Sequence, residues 1–134
     1  MWEKLHDLDF MLTLFVGVFW AIVFLQSGLD KVVDWKGNLS WLKSHFEKSP
    51  LGAFVPLLLG VLTLIEILAG AISLIGVFMH LFQGHSMWIQ QGVVLSCIAL
   101  LMLIFGQRLA KDYDGAKTIA IYFGVALLSG LILM

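Results

Sequence analysis

Four apolar runs, at about 10–30, 51–82, 87–107 and 117–134, take up most of this chain of 134 residues. A helix rises about 1.5 Å per residue, so roughly 20 residues cross a hydrocarbon layer about 30 Å thick. Each run approaches or exceeds that length. Four segments cannot close a β-barrel, and backbone in lipid must satisfy its own hydrogen bonds, so the runs have to be helices. The expected fold is all-α: an integral membrane four-helix bundle, one domain over 1–134, with a short interfacial helix between the first two spans. Composition agrees, with 60% hydrophobic and 13% charged residues against about 25% charged in soluble domains. The remainder is too short for a separate catalytic domain. With 8 Lys+Arg against 9 Asp+Glu, nothing in the charge balance suggests a nucleic-acid partner, and none is expected. Cys97, the lone cysteine, excludes an intrachain disulfide.

The segment before the first run carries Glu3, Asp7 and Asp9 with Lys4, and no small-residue cleavage site follows, so it reads as retained rather than as a signal peptide. In the second run, Ser49-Pro50 offers a helix start, while Pro56 either kinks the helix or marks its true beginning. Between the first two runs, Leu39, Leu42 and Phe46 recur at helical spacing beside Trp41 and Lys43. They form either a short amphipathic helix in the headgroup layer or a solvated connection. Lys4 falls on one side of the spans, whereas Lys31, Lys36, Lys43, Lys48, Arg108, Lys111 and Lys117 fall on the other. Basic loops stay in the cytoplasm, so both termini are expected outside. Trp2, Trp35, Trp41 and Trp88 fall near span ends, as in an aromatic belt, and Trp20 does not. Phe24-x-Gln26 followed by Asp30, Lys31, Asp34 and Gly37 is echoed by Phe105-x-Gln107 followed by Lys111, Asp112, Asp114 and Gly115. This is either an old hairpin duplication or chance.

Glu66 is the one charge inside the second run. Mid-membrane carboxylates cost a few kcal/mol and face the bundle interior or a cavity. Thr63, Glu66, Gly70, Ser73, Val77 and His80 share a small, polar face, which should be the inward one. Counting along the helix puts Glu66 about 18 Å from the charged-loop side, level with Trp20, Ser96, Cys97 and Ser129. No Lys or Arg is expected to reach it. An unpaired carboxylate in low dielectric favours its neutral form, so Glu66 should be mostly protonated and hydrogen-bonded. Its role is either a proton relay or quinone-headgroup contact, or a polar fastener between helices.

A second cluster gathers at the cytoplasmic end: Gln26, Ser27, Asp30, Lys31 and Asp34 with Gln107, Arg108, Asp112 and Tyr113. It is expected to clamp the bundle through fixed ion pairs, or to hold a lipid or anionic headgroup. Met79, His80, His85 and Met87 resemble copper ligands in type, but a turn beside the headgroups explains them equally, and no metal site is expected. Gly17, Gly60, Gly124 and Gly130 read as helix-contact positions.

Phe24-Leu25-Gln26-Ser27-Gly28-Leu29-Asp30-Lys31, the glutamate of Leu64-Ile65-Glu66-Ile67-Leu68-Ala69-Gly70, and Gly106–Ala116 together resemble the helix-one exit, the helix-two "E-x-x-x-G" and the helix 3–4 connection of the DoxX family. The likeness spans nearly the whole chain. It implies a four-helix bacterial inner-membrane protein, distantly related to the membrane subunit of thiosulfate:quinone oxidoreductase. The family positions are Gly28, Lys31, Glu66, Gly70, Arg108 and Asp112. Quinone is the one cofactor implied, and the absence of a cysteine pair argues against a thiol relay here.

Two functions follow as expectations. One is an accessory subunit of a membrane-bound, quinone-linked redox complex, not an enzyme by itself. The other is a non-enzymatic assembly, scaffold or lipid-binding subunit of a larger envelope complex. Partners are the bilayer and other membrane subunits or further copies of the chain.

Overall fold

The computed structural model describes residues 2–134 and, among these, every side chain but those of Trp2 and Leu5; Trp2, assigned to the aromatic belt, lies outside the described side chains. The chain runs α1 (Trp2–Leu5), α2 (Leu8–Val33), α3 (Trp35–His45), a 3-10 turn at Gly52–Phe54, α4 (Val55–Gln83), α5 (Met87–Leu109) and α6 (Tyr113–Ile132), with no strand among the described residues. The segments Leu8–Val33, Gly52–Gln83, Met87–Leu109 and Tyr113–Ile132 are each long and apolar enough to cross a membrane. This is an all-α four-helix bundle, built as a multi-pass membrane protein requires.

Local chemistry sets the boundaries. Asp7 caps α2 by accepting from the Asp9 amide at 3.0 Å, satisfying one of the free donors of a helix start. Pro56 marks the true start of α4: it occupies the first turn, where its missing N–H costs nothing. Ser49 instead accepts from the Leu51 amide in the preceding turn. At the far end Gly84 takes φ 75°, a left-handed cap that returns its N–H to the Met79 and His80 carbonyls. Between the first two spans, Trp35–His45 form a helix, α3.

Of the Phe24/Phe105 echo, one pair in each half plays the same structural part. Asp34 caps α3 by accepting from Gly37, and Asp112 caps α6 by accepting from Gly115 at 3.0 Å. In both, a Cβ on the glycine would collide with the capping carboxylate, so Asp-x-x-Gly is a repeated helix start. The phenylalanines differ, Phe24 being buried and Phe105 exposed.

α4 is the centre of the bundle, packing most extensively on α2 and α5, while α6 leans chiefly on α5. The core joins Val16, Trp20 and Phe24 of α2 to Ala69 of α4, Ile89, Val93, Ala99 and Leu100 of α5, and Ala126 of α6. Small residues bring backbones close. A Cβ on Gly28 would lie 2.6 Å from Ile67 Cγ1, and one on Gly70 would lie 2.6 Å from the Leu25 amide nitrogen. Gly17 is likewise a contact, against Val77 and Ile89. Gly124 and Gly130 are not: nothing lies within 4 Å of a Cβ at either, because α6 turns that face outward. Gly60 is almost as open, with only Trp35 at 3.9 Å.

Gly70→Ala therefore has to push α2 off α4 and should destabilise the protein by about 1–3 kcal/mol, whereas Gly124→Ala should leave it unchanged. Thermal unfolding of the two variants in the same mild detergent checks the contrast.

Candidate functional site

The inward face of α4 is as its spacing implies: Thr63, Glu66, Gly70, Ser73, Val77 and His80 are all buried. What surrounds Glu66 is different from the expectation of an unpaired acid. Lys31 folds back along α2 and places Nζ 2.9 Å from Glu66 Oε1. Ser27, one turn earlier, donates its hydroxyl to Glu66 Oε2 and accepts from Lys31 Nζ at 2.8 Å. Lys31 also reaches the Ser27 carbonyl at 3.4 Å. Both carboxylate oxygens are thus answered by a cation and a hydroxyl that touch each other.

The geometry of α2 explains how a lysine near the helix end gets there. Trp20, Phe24, Gly28 and Lys31 follow 4-, 4- and 3-residue steps, so Lys31 is on the buried stripe. Long basic side chains ordinarily carry their heads out to water, but the Lys31 head turns inward to a carboxylate. Glu66 is 1% exposed and Lys31 18%, so Lys31 is the member of the pair that can be reached from outside.

The other seam residues do not join this set. Trp20 Nε1 donates to Ser129 Oγ at 3.1 Å. Thr63, Ser96 and Ser129 donate to the carbonyls of Leu59, Gly92 and Val125, one turn back on their own helices, a common way for hydroxyls to be satisfied in apolar helices. Ser73 Oγ is buried without a partner, hard against Gly92. The expected single layer of Glu66, Trp20, Ser96 and Ser129 is therefore two separate polar contacts, Trp20–Ser129 and Glu66–Ser27–Lys31.

The charge cluster expected where the helices meet the lysine-rich connections is also redistributed. Lys31 belongs to Glu66. Gln26 and Asp30 are exposed, and Arg108 lies over the Tyr113 ring at 4.8 Å instead of in an ion pair. Asp112 caps α6 and faces His45 Nε2 of α3 at 3.4 Å. His45 was not among the residues singled out; it stacks on Trp41 with ring centroids 4.6 Å apart. The clamp at this end is thus one contact from α3 to the α5–α6 turn.

A cavity of about 370 Å³ opens between α3, the start of α4 and the end of α5, within the size range of small-molecule sites. Leu42, Phe46, Leu58, Leu62 and Leu103 wall it, and Lys31, His45, Gln107 and Asp112 supply its polar side. At the opposite end of the bundle, His80 donates from Nε2 to the Phe10 carbonyl at 3.0 Å and stacks on the Phe10 ring. His85 Nε2 lies 3.1 Å from Gln83 Oε1. These histidines are held by separate partners, and no group of three or more His, Cys, Asp or Glu stands at metal-binding spacing among the described residues.

Removing one member of a buried ion pair strands the other and costs about 3–5 kcal/mol, whereas replacing both with apolar groups is often neutral. Lys31→Met and Glu66→Leu should each lower stability on that scale, and the double variant should recover most of the loss. Unfolding of the four proteins in one detergent measures the coupling; additive losses would show that the two groups do not depend on each other. No family model, curated protein or solved structure matches this chain, so a functional reading rests on its own residues.

Proposed function

We propose that this chain is a DoxX-like accessory subunit of a membrane-bound, quinone-linked redox complex in a bacterial inner membrane, not an enzyme by itself. The observation that carries the reading is the Lys31–Ser27–Glu66 set. A charged pair inside an apolar bundle is costly to keep, and ionisable groups in membrane helices commonly mark proton or ligand paths. Here the set is linked by hydrogen bonds, with its inner member covered and its outer member bordering a cavity.

The residues divide the work by position. Glu66 holds or releases a proton at its carboxylate. Ser27 is bonded to both charged groups and passes a proton between them by reorienting its hydroxyl. Lys31 orients the carboxylate and meets whatever approaches from the cavity. A bound quinone supplies two-electron, two-proton chemistry, with electrons exchanged at a partner subunit. Lys31, lining the cavity, is the group able to hold its carbonyl. Gly28 and Gly70, also family positions, bring α2 and α4 close enough for the set to form.

The second reading, an assembly or lipid-binding subunit of an envelope complex, draws on α6. Ile121, Leu127, Leu128 and Leu131 are exposed there, and Gly124 and Gly130 meet nothing. Such a face suits lipid, another membrane subunit or a second copy of the chain.

Purification in mild detergent separates the two. Stoichiometric quinone or a co-purifying oxidoreductase supports the redox reading; an assembly partner without redox cofactors supports the second. In the redox complex, Glu66→Gln keeps the Ser27 contact and should lower quinone-linked turnover at least tenfold while assembly persists. Unchanged turnover rules out the proton role. For orientation, the excess of Lys and Arg on one side supports cytoplasmic α2–α4 and α5–α6 connections with both termini outside. Lys43→Cys and Lys111→Cys, each in a Cys97→Ser background, should then resist an impermeant maleimide in intact cells and react after lysis.

A further inference from the structure

We infer that the cavity beneath α3 is a binding site for an uncharged, carbonyl-bearing amphiphile that reaches it from the bilayer, and that Lys31 and Gln107 receive its head. It rests on the cavity and the Lys31 contact used in the proposed function and deepens that reading by defining the head that the cavity takes.

Consider first what shape of ligand fits. The space is about 370 Å³ and its wall is made of Leu42, Phe46, Leu58, Leu62 and Leu103, so most of an occupant has to be apolar. Trp41 and Phe105 also line it and are 60% and 62% exposed. They stand at the mouth, on outward helix faces, where a lipid tail and not water is the natural neighbour. The Phe46 ring comes within 3.6 Å of a Cβ position on Gly106, closing the floor between α3 and α5. The ligand is therefore a small head with an apolar tail trailing out past Trp41 and Phe105.

Charge decides the head. Lys31 is the only Lys or Arg on the lining, and Glu66 already faces it at 2.9 Å. The other carboxylate, Asp112, faces His45 at 3.4 Å. An anionic head would have to displace Glu66 from Lys31 in a desolvated place and then sit near Asp112, which is unfavourable on both counts. A cationic head would meet Lys31. A neutral head avoids both penalties. The side chain of Asn38 is already given to the Asp34 and Asp30 carbonyls, so the donors for such a head are the Lys31 ammonium, once it yields its long 3.4 Å contact with the Ser27 carbonyl, and the NH2 of Gln107, whose Oε1 is buried without a partner. Donors call for an acceptor, and an uncharged acceptor on a lipid-like body is a carbonyl: a quinone ring or an acylglycerol ester.

The test uses the whole protein in mild detergent, with decylubiquinone, dioctanoylglycerol and dioctanoyl phosphatidylglycerol as probes, read by native mass spectrometry across a concentration series. The expected result is saturable one-to-one binding of decylubiquinone, dioctanoylglycerol or both, with the anionic lipid at least tenfold weaker. Whichever neutral probe is tighter identifies the source of the carbonyl. Leu58→Trp, which fills the cavity, should weaken that probe at least tenfold. Lys31→Met/Glu66→Leu, which removes the head contact without stranding a charge, should weaken it at least threefold while leaving the protein folded. Absence of saturable neutral binding, preference for the anionic lipid, or affinity unmoved by Leu58→Trp or by the double variant each overturns the proposal. Loss of all neutral binding also removes the quinone contact at Lys31, whereas neutral binding with unchanged turnover in Glu66→Gln overturns the redox reading and leaves this one standing.

Discussion

A carboxylate buried midway along an apolar helix has to be answered by a neighbouring element, and here the answer comes from Lys31 and Ser27 on α2. That contact constrains the bundle more than any other. It lies where glycines bring α2 and α4 close, with Gly28 against Ile67 and Gly70 against Leu25. Close backbone approach and ion pairing reinforce each other: the glycines let Ser27 reach Glu66, and the pair fixes which turn of α2 faces which turn of α4. Apolar packing alone is weakly specific in lipid, where tails are as apolar as leucine. A single polar contact therefore sets register in a way that the surrounding leucines cannot.

The same contact ties the bundle to the connections at its lysine-rich end. Lys31 is both Glu66's partner and part of the wall beneath α3. α3 is held from its other end by His45 against Asp112, and the two helices entered from these connections, α3 and α6, start with the same Asp-x-x-Gly cap. A roof, a floor and one charged side chain make a chamber that neither connection would form by itself.

Much of this is legible in the residues. Long apolar runs set the four helices, and 3- and 4-residue steps placed Glu66 on an inward face because helical geometry leaves no other option. The partner of Glu66 was harder to see. Lysine near a helix end ordinarily extends toward water, and depth counted in straight 1.5 Å steps hides how far a side chain folds back. The signal lay in the buried stripe Trp20, Phe24, Gly28, Lys31. Its last member is charged, and Ser27 sits four residues before it. His45 gave no signal of that kind: its contact with Asp112 crosses from α3 to a turn more than sixty residues later. Gly124 and Gly130 show the reverse limit, since a small residue permits a contact without requiring one.

The pair also bears on how the chain is made. α2 leaves the ribosome before α4, so Lys31 is synthesised with no carboxylate in reach and, near the end of its helix, can keep its head in the headgroup water. Glu66 enters later and deeper, where water cannot follow. Insertion is easiest when α4 arrives against an α2 already in place, with Lys31 swinging in to meet it. The charge that can wait is encoded first and the charge that cannot is encoded second, an order that lets the two buried charges enter as a neutralised pair.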